Sequence, residues 1–392
     1  MNGMSTTLDS SEIIAEITAF RRRLHQEPEL SGQEKDTSAA LVSELEREGF
    51  APRTFIDHRA VVALWPGKDR SRALALRADM DALPLQEQSG MPWTSQRPGI
   101  MHACGHDGHA SLMLGVAKSL ARRGKAYPCD IALLFQPAEE NGQGAPALIK
   151  DGFLEGPPRI EALFGLHGWP ELPVGKLAVH DTSVMASVDN FDIVLHGKGG
   201  HGAMPHQGFD PITAAAHFIT AAQTLISRRL SPLHAGVLTF GSIKGGKAHN
   251  VIPSECQLKG TIRAMTPETR QMLKDGLQNL VLDFPPAFGC KGALTWVEST
   301  PATLNNPAMA ALVKSAVTQA LGNEALEEIP PSMGGEDFSY FLEKVPGAYF
   351  WLGVGDGQGL LHNPRYDFND AAFAPGLRVF ETLIERYFHA HP

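Results

Sequence analysis

Ala73-Leu74-Ala75-Leu76-Arg77-Ala78-Asp79-Met80-Asp81 is the stretch from which the fold is read. Its near-continuous apolar run fits a strand covered on both faces, and two acids follow directly. The same arrangement returns twice. Ile131–Phe135 is a second buried strand and runs into Gln136-Pro137-Ala138-Glu139-Glu140; Ala162–Leu166 is a third and runs into His167. Between them Leu112, Val116 and Leu120 form a helical stripe that Gly124 stops. Strand, loop, helix, strand is the rhythm of an α/β layer sandwich, in which polar residues just past the strand ends build sites.

Upstream, Asp9 to Glu12 reads as a capping box, with Ile13, Ile17, Phe20 and Leu24 on the stripe that follows and Pro28 at its end. Thr37, Leu41 and Leu45 repeat the pattern before Gly49, and Val61–Leu64 reads as a short strand. Near Val184 the character changes. Asp189–His196 alternates as a half-buried strand does, and GKGGHGAMPH follows as a glycine-rich loop. A helix from Asp210-Pro211 carries Ile212, Ala215, Ile219, Ala222 and Leu225 on one stripe. Strands Gly236–Ile243 and Cys256–Ala264, a helix Thr266–Asp283 and Leu294–Val297 complete a β-α-β-β-α-β pattern. The α/β character then returns, with a helix from Asn306, a strand Ala348–Leu352 and a final helix from Ala372. The expected architecture is an α/β/α domain from 1–184 and 299–392, interrupted by a ferredoxin-like α+β domain at 185–298.

The chain has 392 residues, 43% hydrophobic and 20% charged, with a net charge of −9. That acidic balance, without a Lys/Arg cluster, argues against nucleic acid or an anionic membrane as partner. Arg21-Arg22-Arg23 is expected on the solvated face of its helix. No 18-residue apolar run and no basic leader followed by an apolar core occur, so neither a membrane helix nor a signal peptide is expected. Four cysteines without CxxC spacing point to a reducing, cytoplasmic setting.

The chemistry concentrates in His102-Ala103-Cys104-Gly105-His106-Asp107-Gly108-His109. Cys104 and His106 are soft and borderline ligands two residues apart in a glycine-flanked loop, the makings of one wall of a metal site. Glu140, His167 and His362 are further candidate ligands, and five exceed what one open tetrahedral ion needs, suggesting two ions. The bland alternative, a satisfied core or surface residue, is accepted for His25, His58, His180, His196, His217, His234, His389 and His391. Glu139 and Glu140 would repel each other beyond an apolar strand unless a cation neutralises them. One can then coordinate while the other exchanges protons, although a solvated helix N-terminus is the competing account.

The ordered set ADMDALPL (78–85), MHACGHDGH (101–109), FQPAEE (135–140), GLHGWP (165–170), GKGGHGAMPH (197–206), HNVIP (249–253), GTIRA (260–264), SMGGEDF (332–338) and LHNP (361–364) resembles the aminoacylase/carboxypeptidase metallopeptidase clan. Within it, the chain looks like the branch of hippurate hydrolases and auxin-conjugate amidohydrolases, over nearly its whole length.

The resemblance implies a binuclear site with Cys104, His106, Glu140, His167 and His362 as ligands and Glu139 as general base and acid. Relatives outside the branch use a His-x-Asp motif where this chain has Asp79-Met80-Asp81, so Asp79 and Asp81 are assigned to orienting ligands, as is Asp107. Cys104 is the expected bridge. The inserted domain would act as lid and dimerisation module, with His201 reaching the partner subunit's site to stabilise the oxyanion; from the residues alone a plain turn histidine is as good an account. Asn250 and Arg263 match positions that contact the substrate carboxylate, with Gly334 and Gly335 offering N–H groups nearby; without the resemblance Arg263 reads first as a surface arginine. The implied cofactors are two divalent ions, Zn²⁺ or Mn²⁺, with Co²⁺ and Ni²⁺ as alternatives. The implied activity is hydrolysis of N-acyl amino acids, hippurate-like or N-acetylated, by a homodimer or homotetramer. The rival readings are a metallo-dipeptidase or carboxypeptidase, a deacetylase of N-acetyl-diaminopimelate type, and a catalytically silent acyl-amino-acid-binding protein.

Overall fold

The structure, a computed structural model, describes residues 10–355 and 359–391. The chain separates into two compact units, one drawn from Met1–Thr182, Leu304–Pro330 and Asp337–Pro392, the other from Ser183–Thr303 and Pro331–Glu336.

The first unit is built on a mixed sheet in the order Arg53–Phe55, Ala60–Trp65, Cys129–Gln136, Asp69–Asp79, Arg159–Trp169, Gly347–Gly353, Leu177–Ala178. The four inner strands run parallel, and the outer strands on both sides are antiparallel. Every residue of Cys129–Gln136 and Gly347–Gly353 is buried, as a strand covered on both faces must be. Leu74, Leu76 and Ala78 point into the main core, where helices Ser10–Gln26, Lys35–Arg47, His106–Arg123, Pro307–Leu321 and Phe373–Ala390 cover the sheet. Arg77, between them, points to the opposite face. There it lies under the Phe338 ring at 5.7 Å, and Phe338 continues through Phe341 to Phe153.

The second unit holds an antiparallel sheet, Gly236–Gly245, Glu255–Ala264, Ser187–His196, Lys291–Thr300, and helices Pro211–Ala222 and Pro267–Asp283 pack against it. Strand two pairs with three, three with one and one with four, the ferredoxin-like order. Thr266 and Asp210 cap the helices, each accepting a first-turn N–H. Pro331–Glu336 belongs here and not with the first unit, because Ala186 N–H donates to the Ser332 and Gly334 carbonyls and Ser332 N–H to the Val184 carbonyl.

Two expectations are corrected. Of the expected stripe, Ala215, Ala222 and Leu225 are buried, but Ile212 is 39% exposed, Phe218 joins the buried face, and the helix ends at Ala222, before Leu225. The expected capping residue Asp9 lies outside the described residues. Arg21 is not solvated but 0% exposed. It stands four residues after Ile17 and three before Leu24, on the stripe that packs against His106–Arg123. Its guanidinium donates to Asp107 (2.8 Å), Asp370 (3.0 Å) and Asp367, and His25 Nδ1 shares the Asp107 carboxylate at 2.8 Å. His25 also meets Glu87 at 3.2 Å. Among the described residues, no helix is long and apolar enough to cross a membrane, and the four cysteines are free and buried.

Burial opposes a charge on His25, but Asp107 and Glu87 outweigh it and hold the imidazole at about 9, above its ordinary value of 6.5. A folded-state value above the unfolded one stabilises the native state fully below about 6.5, and the contribution is lost as pH rises through about 9. Chemical denaturation of wild type should therefore lose a few kcal/mol between about pH 6.5 and 9 that His25→Gln does not lose. Parallel pH profiles for the two proteins would contradict this.

Candidate metal centre

The site residues arrive on strand ends and on one helix start. Asp79 closes its strand and Asp81 follows; Glu139 and Glu140 follow the neighbouring strand; His167 lies near the end of the next. His106 opens its helix, and Gly105 before it has φ 84. A Cβ on Gly105 would fall 2.6 Å from the Tyr366 hydroxyl, so only glycine makes this turn. His362 reaches the group from a loop, at φ 61, with its N–H on the Ala103 carbonyl at 2.8 Å.

Ligand atoms of Cys104, His106 and His167 lie within 4.8 Å of one another, as do those of Cys104, Glu140 and His362. The two groups share Cys104. The sulfur is 3.3 Å from His167 Nε2, and His362 Nε2 is 3.5 Å from Glu140. His106, Glu139 and Glu140 form a third group. Asp79, His106 and His109 also cluster, but both nitrogens of His109 are engaged. Its Nδ1–H donates to Asp79 at 2.6 Å and its Nε2 accepts Gly168 N–H at 2.7 Å.

Neighbouring acceptors fix the other tautomers. His167 Nδ1–H donates to the Gly168 carbonyl (2.8 Å), turning Nε2 toward Cys104. His106 Nδ1–H donates to Asp81 at 3.1 Å, and its Nε2 is buried without a hydrogen-bond partner among the described residues. Glu140 Oε1 is likewise buried and unpartnered. Orphaned atoms of this kind, facing one another at 3.9 Å, are what a cation would satisfy. Electrostatics agree. Burial opposes a charged His106, yet Asp79, Asp81 and Glu140 raise it to about 10. Burial, then Glu140, Glu139 and Asp79, push the Cys104 thiol well up. A proton on His106 offsets the carboxylates and one on Cys104 keeps a further negative charge out, tasks that divalent cations held by the same atoms would take over. Thiolate, imidazole and carboxylate donors together fit a divalent transition ion.

Of the residues expected to orient ligands, Asp81 touches His106 and also accepts Glu140 N–H at 3.0 Å. Asp79 is hydrogen-bonded to His109 and also lies 3.8 Å from His106 Nε2. Asp107 is corrected: one helical step from His106, it turns away to Arg21 and His25. Arg77, Gln136 and Asp337 were not anticipated. Arg77 donates to Asp79 (2.6 Å), Gln136 (2.8 Å) and Asp337 (3.0 Å), Gln136 Nε2 donates to Asp337 at 2.7 Å, and Asp337 N–H reaches Glu139 Oε1 at 3.4 Å. The signal was a lone arginine in an otherwise apolar strand, since a buried charge needs partners.

In the second unit, pairing of Gly200–His201 with Val251–Ile252 sets His201 beside Asn250. Both are exposed, and His201 Nδ1 accepts Ala203 N–H at 3.0 Å. Arg263 is half-buried, donates to Thr261 and to the Ile262 carbonyl, and has no carboxylate partner among the described residues. Gly334 N–H, expected to face a substrate carboxylate, already donates to Ser332 Oγ at 3.0 Å; Gly335 packs on Val188.

The family described as Peptidase family M20/M25/M40 matches residues 75–386. The chain is similar to an N-acetyl-L-cysteine deacetylase of Bacillus subtilis, 39% identical over 94% of this chain and 87% of the relative. It is also similar to the IAA-amino acid hydrolase ILR1-like 2 of Arabidopsis thaliana, 36% identical over 96% and 86%. Among solved structures, the Bacillus subtilis protein YXEP, described as a dinuclear metal binding peptidase of the M20 family, superposes with a TM-score of 0.86 at 31% identity, covering 96% and 99%.

Cys104 belongs to both ligand groups, so Cys104→Ala should at least halve the metal-to-protein ratio measured by elemental analysis. An unchanged ratio would remove Cys104 from the ligand set.

Proposed function

The chain belongs to peptidase family M20/M25/M40 and is a metal-dependent amidohydrolase of N-acyl amino acids; we propose that Glu139 is its general base and acid, beside two divalent ions. The ions would be held by Cys104, His106, Glu140, His167 and His362. The observation that carries this reading is the pair of ligand groups meeting at one sulfur. Thiolate and imidazole favour Zn²⁺, with Mn²⁺ as the second choice. When bound, such ions polarise the scissile carbonyl and make water more acidic.

The protein's own groups supply the rest. Glu139 lies one residue from a candidate ligand, its Oε1 reached by Asp337 N–H and its Oε2 4.0 Å from His106. A carboxylate so placed can take a proton from the attacking water and return it to the leaving amine. His201 accepts at Nδ1, so its proton sits on Nε2, where it can donate to an oxyanion in the partner subunit. Arg263, which forms no ion pair within 4.0 Å among the described residues, suits the substrate's α-carboxylate, and exposed Asn250 suits the same end. The products are a carboxylic acid and a free amino acid. The acyl group we favour is small, as in N-acetyl amino acids, because a deacetylase is among the relatives. Release of free amine from N-acetyl-L-cysteine, other N-acetyl amino acids, hippurate and dipeptides by the metal-loaded protein tests this choice. Faster cleavage of dipeptides than of every N-acyl amino acid would overturn it.

Glu139→Gln should keep its metal while turnover falls about 10²–10⁴-fold; near-normal turnover would sink the base assignment. Mixing His201→Ala with Glu139→Gln protomers should restore activity through the one intact site of each mixed dimer. No recovery in verified mixed dimers would place His201 in its own subunit's chemistry or outside catalysis.

A further inference from the structure

Ala138, immediately before the acidic pair, has φ 57, a region that L-residues other than Asn and Asp rarely adopt. Both of its backbone polar groups are pinned. Its carbonyl accepts N–H groups from Gln143 (3.1 Å) and Gly144 (3.0 Å), and a side chain on Gly144 would collide with the Pro137 carbonyl at 1.9 Å. Its N–H donates at 2.7 Å to Oε1 of Glu34, 104 residues earlier in the chain.

Glu34 is an unusual partner. It stands at the N-cap of the Lys35–Arg47 helix, yet its side chain makes no cap bond. It is 0% exposed. Oε1 also accepts Gly32 N–H at 2.9 Å, while Oε2 has no partner among the described residues. Burying a carboxyl carries a desolvation penalty that helix capping does not explain here. Burial, with Asp81 adding to it, raises the group to about 7, against the N–H groups of Gly32 and Ala138, which favour its charged form.

We infer that Glu34 is a positioning residue for the general base: by accepting Ala138 N–H it holds the left-handed turn from which Glu139 is presented. This rests on Glu139 being the base. The two acids have separate anchors, since Glu140 N–H is held by Asp81 Oδ2 and that bond does not involve Glu34. Loss of Glu34 therefore loosens Ala138 and Glu139 while leaving the Glu140 anchor in place.

The test compares metal-loaded wild type with Glu34→Ala, Glu34→Gln and the double variant Glu34→Ala/Ala138→Gly. The substrate is the N-acyl amino acid that wild type cleaves fastest, and bound metal and thermal midpoint are measured alongside. Glu34→Ala should lower kcat about 10- to 100-fold, with KM within about threefold and metal content unchanged. Glu34→Gln, which keeps an acceptor oxygen, should stay within about threefold of wild type. Ala138→Gly should recover most of the loss, because glycine adopts this φ without strain. Glu34→Met fills the volume without an acceptor and carries the comparison if the smaller variant does not fold. The inference falls if kcat is unmoved, if its fall is matched by loss of metal, or if Glu34→Gln is as slow as Glu34→Ala. Near-normal turnover of Glu139→Gln in the same assay would remove the base assignment itself. An inactive Glu139→Gln beside an unaffected Glu34→Ala or Glu34→Met would overturn the inference about Glu34 alone.

Discussion

Four carboxylates, Asp79, Asp81, Glu139 and Glu140, meet at the ends of two paired strands, and the first unit is arranged around compensating them. Asp79 and Asp81 are buried. Unpaired charge at such a place is costly enough to undo a fold, so every nearby element brings a donor. Arg77 and His109 serve Asp79; His106, Ser31 and Glu140 N–H serve Asp81. The atoms left without a hydrogen bond among the described residues, His106 Nε2 and Glu140 Oε1, are what a divalent cation would satisfy. The same electrostatics that make the cluster costly without an ion make it selective for one.

A second charged network supports the first from behind. Arg21 draws Asp107, Asp367 and Asp370 together, tying the first helix, the start of the His106–Arg123 helix and the segment after His362 into one block. Two candidate ligands come from chain segments on either side of this block. Ligand geometry therefore depends on contacts between residues more than 80 positions apart, which is how a site of loops and strand ends keeps a defined shape.

Much of this was legible in the chain itself. The apolar runs 73–78, 131–135 and 162–166 become inner strands because β-periodicity and burial on both faces are written in residue type. Cys104 and His106 were singled out by ligand softness and spacing, and Glu139 and Glu140 by their place past a strand; the structure gathers these side chains into overlapping groups. Arg21 was misread because its arginine neighbours suggested a wet face, although its spacing from Ile17 and Leu24 placed it on the buried stripe. Asp107 was misread because adjacency in sequence does not fix which way a helical side chain points.

The sequence by itself determined the strand and helix pattern, the donor types and the acid pair, since these follow from local periodicity and from the chemistry of each side chain. Only the tertiary structure decided that His109 is consumed by Asp79 and Gly168, that Gly334 N–H is already engaged, and that Arg77, Asp337 and Glu34 stand behind Glu139. The reason is physical. A hydrogen bond spends a donor or acceptor on one partner, and which partner comes within about 3 Å is settled by packing and not by residue type.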